Sequence, residues 1–375
     1  MLKLNESFKS DKIQLVFGLA RVLFYVYCFL ISIDLMGMAF KSSQGTMKPL
    51  LDYATANPFM GLVLGIVFTS VIQSSSTTTS IIVTMVAAGS LPLSNAIPMV
   101  MGANIGTTVT NTIVSFGYVG RKTEFERSFG ASIVHDMFNV FATCILFPIE
   151  LYTGIIFDTG IILKSALVLE GIFEGMGGFK FVSPLKIIVR PVSDIIAGFL
   201  HNEVLLLVFS FIILFIALSK IIKNMKGIVM EKIELVLNQY LFKNAIISIL
   251  FGIVFTAFVQ SSSISTSLII PLVGAGVLTI EQIFPYTLGA NIGTTITAFL
   301  AALTLGSEAA MTVALAHLLF NIFGILIIYP IKQIPIFASR FIAAYVSQSK
   351  KHFIIFITIY ILLHVLPILF AVILY

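Results

Sequence analysis

The sequence predicts an all-α polytopic membrane protein made of two inverted-topology repeats, each with a re-entrant helical hairpin and a broken transmembrane helix. Three observations predict this. Of 375 residues, 58% are hydrophobic and only 10% charged, against about a quarter charged in a soluble domain, so the chain cannot solvate a globular surface. The segment GIVFTSVIQSSSTTTSIIVTMVAAGSL from Gly65 aligns without gaps on GIVFTAFVQSSSISTSLIIPLVGAGVL from Gly252, and the register runs on from MGANIGTTVT (101–110) to LGANIGTTIT (288–297). About half of these positions match, far above chance for two apolar segments. Finally, Lys and Arg gather in alternate loops, which fixes an odd number of crossings per copy.

Residues 1–150 form the first repeat: a helix (13–40), a hairpin (58–90), a broken helix (95–117) and a helix (128–150). Residues 151–202 form an extracytoplasmic segment, for which we expect short interfacial helices and an oligomer contact. Residues 203–330 form the second repeat: a helix (203–222), a hairpin (245–277), a broken helix (282–304) and a helix (308–330). A basic interfacial stretch and a last helix (352–374) fill 331–375. A single crossing needs about 20 apolar residues. The two Gln-Ser-Ser-Ser regions are too long for one crossing, and each carries its polar run at the middle. Two short helices meeting at a polar tip satisfy that pattern, since irregular backbone at membrane depth survives only where protein or water satisfies it. The two Gly-Ala-Asn-Ile-Gly segments read as the breaks in the broken helices.

With a cytoplasmic N-terminus (Lys3, Lys9, Lys12), three crossings per repeat put Arg121, Lys122 and Arg127 inside. They also put inside Lys220, Lys223, Lys226, Lys232 and Lys243, and finally Lys332, Arg340, Lys350 and Lys351. The turn near Gly306 and the C-terminus fall outside without Lys or Arg, as the positive-inside rule requires. The net charge of +5 is therefore loop charge and implies no nucleic-acid partner. Cys28 and Cys144 sit in apolar runs and behave as small hydrophobes. The polar N-terminal stretch is not expected to be a cleaved signal peptide.

Inverted repeats with interrupted helices suit secondary transport, with binding near the midplane. A helix start carries unpaired N–H groups and about half a positive charge, so two such ends meeting at the midplane, ringed by Ser hydroxyls, make an anion site without a fixed cation. Hydroxyl and amide oxygens also suit Na⁺. In competition with this, small polar residues pack membrane helices closely, and the Gly-Ala-Asn-Ile-Gly segments are alternatively flexible kinks. Asp136 is an intramembrane carboxylate whose counterpart is Leu318; it marks a function specific to the first repeat, or else pairs with Arg21. His135 and His317 read as structural hydrogen-bonders, with Asn139 and Asn321 one turn later. No nucleotide-binding or nucleophile motif is found, so we expect no enzyme and no cofactor beyond a coupling ion.

The paired Gln-Ser-Ser-Ser hairpins, the paired Gly-Ala-Asn-Ile-Gly-Thr-Thr segments and His-Asp-x-Phe-Asn resemble the type II sodium-dependent phosphate cotransporters. The resemblance runs from about Ala39 to Tyr329 and on through the last helix, and is to the compact bacterial members. It implies electrogenic Na⁺-coupled uptake of inorganic phosphate across a bacterial inner membrane by alternating access. Phosphate ligands would be Gln73, Ser74, Ser75, Ser76, Gln260, Ser261, Ser262, Ser263, Asn104 and Asn291. Sodium ligands would be Gln73, Gln260, Ser262, Thr107, Thr110, Thr294, Thr297, Asp136 and Asn139. Asp136 aligns with the Asp of electrogenic members. Tyr118 and Arg121 stand where animal members often carry Gln and Asp, and Ala290 where they often carry Ser. The alternatives are a sodium symporter of another tetrahedral oxyanion and a passive anion channel. The expected partners are phosphate, sodium ions, the lipid bilayer and, as an option, a second copy in a homodimer.

Overall fold

The computed structural model describes residues 2–43, 57–107, 109–175, 184–236 and 242–373. The described residues are helical almost throughout. The first copy of the sequence repeat contains α1 (Leu2–Ser42), α2 (Pro58–Ile72), α3 (Ser75–Ala87), α4 (Leu93–Gly106), α5 (Val109–Ser115) and α6 (Lys122–Phe157). Two helices follow, α7 (Ile161–Gly175) and α8 (Pro184–Phe199). The second copy contains α9 (Glu203–Val236), α10 (Ala245–Val259), α11 (Ser262–Ser267), α12 (Ile270–Gly274), α13 (Ile280–Leu305) and α14 (Glu308–Ile328). The chain closes with α15 (Gln333–Ser347) and α16 (Lys350–Ile373).

Five stretches are long and apolar enough to cross a membrane: Val16–Ser42, Lys122–Phe157, Glu203–Met225, Ile280–Leu305 and Glu308–Ile328. The chain is a multi-pass helical membrane protein. Several predicted spans lengthen at their ends. The helix expected over 128–150 begins at Lys122 and continues to Phe157, taking in the start of the segment between the two copies.

The two copies use the same local devices. Asn57 accepts from Met60 N to cap α2, and Asn244 accepts from Ile246 N and Ile247 N to cap α10. α2 packs along α4, and α10 along α13. The approach is set by glycine: a Cβ on Gly102 would overlap the Leu62 carbonyl oxygen, and one on Gly289 would overlap that of Ile249. Gly102-x-x-x-Gly106 and Gly289-x-x-x-Gly293 are therefore small-residue packing faces.

That observation corrects one expectation. The helix over 282–304 is not broken; α13 runs unbroken from Ile280 to Leu305 through Gly-Ala-Asn-Ile-Gly. Only the first copy breaks, between α4 and α5. The two copies differ in helix propensity just downstream. Val109, Thr110, Asn111, Thr112, Ile113 and Val114 are poor helix formers, whereas the second copy carries Ala298, Leu300, Ala301 and Ala302. A second difference follows Gln260, where the helical segment is split into α11 and α12. Pro271 stands where the first copy has Thr84, and proline supplies no N–H to continue the ladder.

One apolar cluster gathers Phe138, Ile269, Phe284, Tyr286 and Phe320 around α6, α13 and α14. Another holds α1 against α9 through Phe29, Ile33, Met36, Leu214 and Leu218. Many hydroxyl and amide side chains are buried as well, among them Ser76, Asn104, Ser263, Asn291 and Asn321.

Candidate functional site

Each Gln-Ser-Ser-Ser run is a left-handed corner. Gln73 has φ 57° and Gln260 φ 56°. Their N–H groups close the preceding helices on Thr69 O and Thr256 O, both at 2.6 Å. A left-handed glutamine is uncommon and strained, at about 1–2 kcal/mol; two at equivalent positions point to function rather than accident. Ser74 and Ser261 then cap the next helices, accepting from Thr77 N (3.2 Å) and Ile264 N (3.3 Å). The new helix thus starts inside the motif, at Ser75 and Ser262.

The two corners meet. Ser76 Oγ donates to Gln260 O at 3.0 Å, and Ser263 Oγ donates to Thr107 O at 3.2 Å. Asn111 Nδ2 donates to Thr266 Oγ1 at 2.7 Å. Ser75, Ser76, Ser262 and Ser263 are all buried. The glutamines differ: Gln73 is exposed, whereas Gln260 is buried with Oε1 unpartnered. The helix starts differ too. α3 has 13 residues behind its N-terminus, but α11 has six before it breaks, so the two dipoles are unequal.

The two copies also exchange grips. His317 Nε2 bonds Asn104 Oδ1 at 3.1 Å, and Asn104 Nδ2 donates to Asn321 Oδ1 at 3.2 Å. In the mirror arrangement, His135 Nε2 bonds Asn291 Oδ1, and Asn291 Nδ2 donates to Asn139 Oδ1 at 2.8 Å. Asn139 Nδ2 also donates to Asn104 O at 2.9 Å. Each His-x-x-x-Asn pair thus holds the asparagine of the other copy's Gly-Ala-Asn-Ile-Gly. Both amide groups of Asn104 and of Asn291 are engaged in this lattice.

The remaining predicted cation ligands divide. Thr107 and Thr294 donate to Ala103 O and Ala290 O, both at 3.0 Å. By contrast, Thr110 Oγ1, Thr297 Oγ1, Gln260 Oε1 and both Asp136 carboxylate oxygens are buried without a hydrogen-bond partner among the described residues. Buried polar atoms are nearly always satisfied, so such oxygens are ready ligands for a hard cation. The alternative Arg21–Asp136 pair does not form; Arg21 is exposed, and Asp34 on the same helix pairs with Arg190 at 3.6 Å.

Two residues escaped the sequence reading. Asn111 Oδ1 and Thr112 Oγ1 are also buried and unpartnered, on α5, which packs on the Asp136 helix α6. A signal for them existed: like Asp136, they lack polar counterparts, since the second copy has Ala298, Phe299 and Leu318.

A model of the Na+/Pi-cotransporter family matches residues 28–167 and 213–337, well over half of the chain. The chain belongs to this family. Among its relatives, the Rattus norvegicus sodium-dependent phosphate transport protein 2A is 34% identical over 82% of this chain and 60% of its own length. The Homo sapiens protein 2B is 30% identical over 88% of this chain and 62% of its own. The Bos taurus protein 2B is 30% identical over 96% of this chain and 66% of its own. The chain thus spans about 60% of the length of the first of these cotransporter relatives. No solved structure matches it.

Proposed function

We propose that this chain is a sodium-coupled symporter that takes up inorganic phosphate across a bacterial-type inner membrane by alternating access, with its N-terminus in the cytoplasm. In this reading α2–α3 and α10–α12 are re-entrant hairpins entering from opposite faces of two inverted repeats. The observation that carries it is the meeting of two left-handed glutamine corners, joined by the Ser76–Gln260 bond.

The chemistry follows from the donors. Phosphate sits against Gln73, Gln260 and the serines of the two corners, with the N-terminus of α3 behind them. These are neutral donors; charge balance comes from co-bound sodium rather than from a permanent salt bridge, so release of the ion leaves the anion unheld. Sodium takes Gln260, Ser262, Thr294 and Thr297 in the second copy. In the first it takes Gln73, Thr107, Thr110, Asp136 and Asn139, with Asn111 and Thr112. Asn104 and Asn291 tie the copies together and reach phosphate only when their lattice opens. One charge crossing 100 mV is worth roughly 2.3 kcal/mol, so an excess of sodium charge over the anion drives accumulation.

Ligand protection tests this. A ligand that binds only the folded state raises its stability by RT ln(1 + [L]/Kd). Phosphate with Na⁺ is expected to raise the unfolding temperature of the purified protein well beyond the separate shifts, with arsenate replacing phosphate and sulfate failing. A double Ser76→Ala, Ser263→Ala variant loses the effect. Equal protection by phosphate when choline replaces Na⁺ contradicts coupling, and equal protection by sulfate points to another oxyanion.

A further inference from the structure

Far in sequence from the glutamine corners, α15 presents two unlike faces. Ile336, Ser339, Ala343 and Val346 are buried, whereas Ile334, Phe337 and Phe341 lie 51%, 69% and 64% exposed along one stripe. The Phe337 and Phe341 rings stack at 6.3 Å. Beside this stripe opens a cavity of about 520 Å³, bounded by α15, the start of α6 and the link from α12 to α13. Its lining is mostly apolar, with two guanidinium groups, Arg127 and Arg340, one carboxylate, Glu126, and the Thr279 hydroxyl.

The two arginines differ in state. Arg340 is held by Glu281 at 2.6 Å. Among the described residues no carboxylate pairs with Arg127, and Glu126 next to it is turned to Ser347 Oγ at 3.3 Å. The Arg127 guanidinium lies over Gly276, where a Cβ would stand 2.7 Å from Nη1 and φ is +77°. A bare glycine therefore leaves room for this cation in the lining of the groove.

A free guanidinium matches a phosphate ester with two parallel donors, and an amphipathic helix with exposed aromatics lies at a membrane interface. Basic pockets between helices on the cytoplasmic side take anionic lipid head groups. We propose that this groove binds an anionic phospholipid, with Arg127 on the headgroup phosphate and an acyl chain along Phe337 and Phe341. The occupant would rest on the Gly276–Ile280 link, which joins α12 to α13. The inference depends on the membrane placement proposed above and not on the transported substrate.

The test uses the full chain in neutral detergent and reads unfolding temperature, not transport. Phosphatidylglycerol is expected to raise it by several degrees more than phosphatidylcholine with the same acyl chains, and Arg127→Gln to abolish that excess. A phosphatidylglycerol with a photoreactive acyl chain should crosslink within 333–347 in the unaltered protein, which gives a reading even if the variant folds poorly. Equal shifts from the two lipids, an excess that survives in Arg127→Gln, or crosslinks confined to other helices would overturn the proposal. An Arg127-dependent shift from inorganic phosphate alone, in choline buffer, would assign the groove to free phosphate and overturn it as well.

Discussion

The Ser76 hydroxyl donates to the carbonyl oxygen of Gln260 at 3.0 Å, joining residues 184 positions apart in the chain. This bond runs from the first turn of α3 in one copy to the left-handed corner of the other. Ser76→Ala should leave a buried carbonyl unpaired and cost about 1–3 kcal/mol. Thermal unfolding in detergent checks the stability, and phosphate uptake should fall more steeply than the folded fraction.

Gln260→Gly separates backbone from side chain. Glycine takes φ 56° without the left-handed penalty, so the variant should be as stable as the parent or more stable, by up to about 1 kcal/mol. The amide is lost with it, so sodium-dependent uptake should fall to background. Retained uptake would mean that the corner, and not the Gln260 amide, matters.

Asp136→Asn removes a buried carboxylate with no partner among the described residues. An unpaired buried charge is costly, so the variant should unfold at a higher temperature in the absence of Na⁺. Its uptake should still require Na⁺ but lose its dependence on membrane potential, measured in vesicles at a clamped potential of either sign.

Gly289→Ala should cost about 1–3 kcal/mol or more, because its Cβ meets the Ile249 carbonyl and backbone cannot step aside as a flexible side chain would. Gly117→Ala is the control, with no atom within 4 Å of the added methyl; it should be neutral. Unfolding midpoints of the two variants decide the point.

How far the sequence reads depends on how local each cause is. The apolar spans, the two copies and the interruptions at Gln73 and Gln260 are legible, since hydropathy and repetition are properties of short windows. The left-handed glutamines are not, because glycine is the residue expected there. Gly289 and Gly293 read as a break because glycine weakens helices, while the packing that outweighs this comes from α10, some forty residues earlier in the chain. Thr294 and Thr295 return their hydroxyls to Ala290 O and Ile292 O instead of interrupting the ladder. The lattice of His135, Asn139 and Asn291 with Asn104, His317 and Asn321 joins residues up to 217 positions apart, a distance at which one sequence carries no pairing signal. Asn111 and Thr112 were within reach, since the copy-to-copy comparison that exposed Asp136 exposes them too.

The most direct measurement is radiolabelled phosphate uptake into proteoliposomes holding the purified chain, with an inward Na⁺ gradient or with choline in its place. The account predicts saturable uptake that requires Na⁺ and rises when the interior is negative; equal uptake in choline would contradict it.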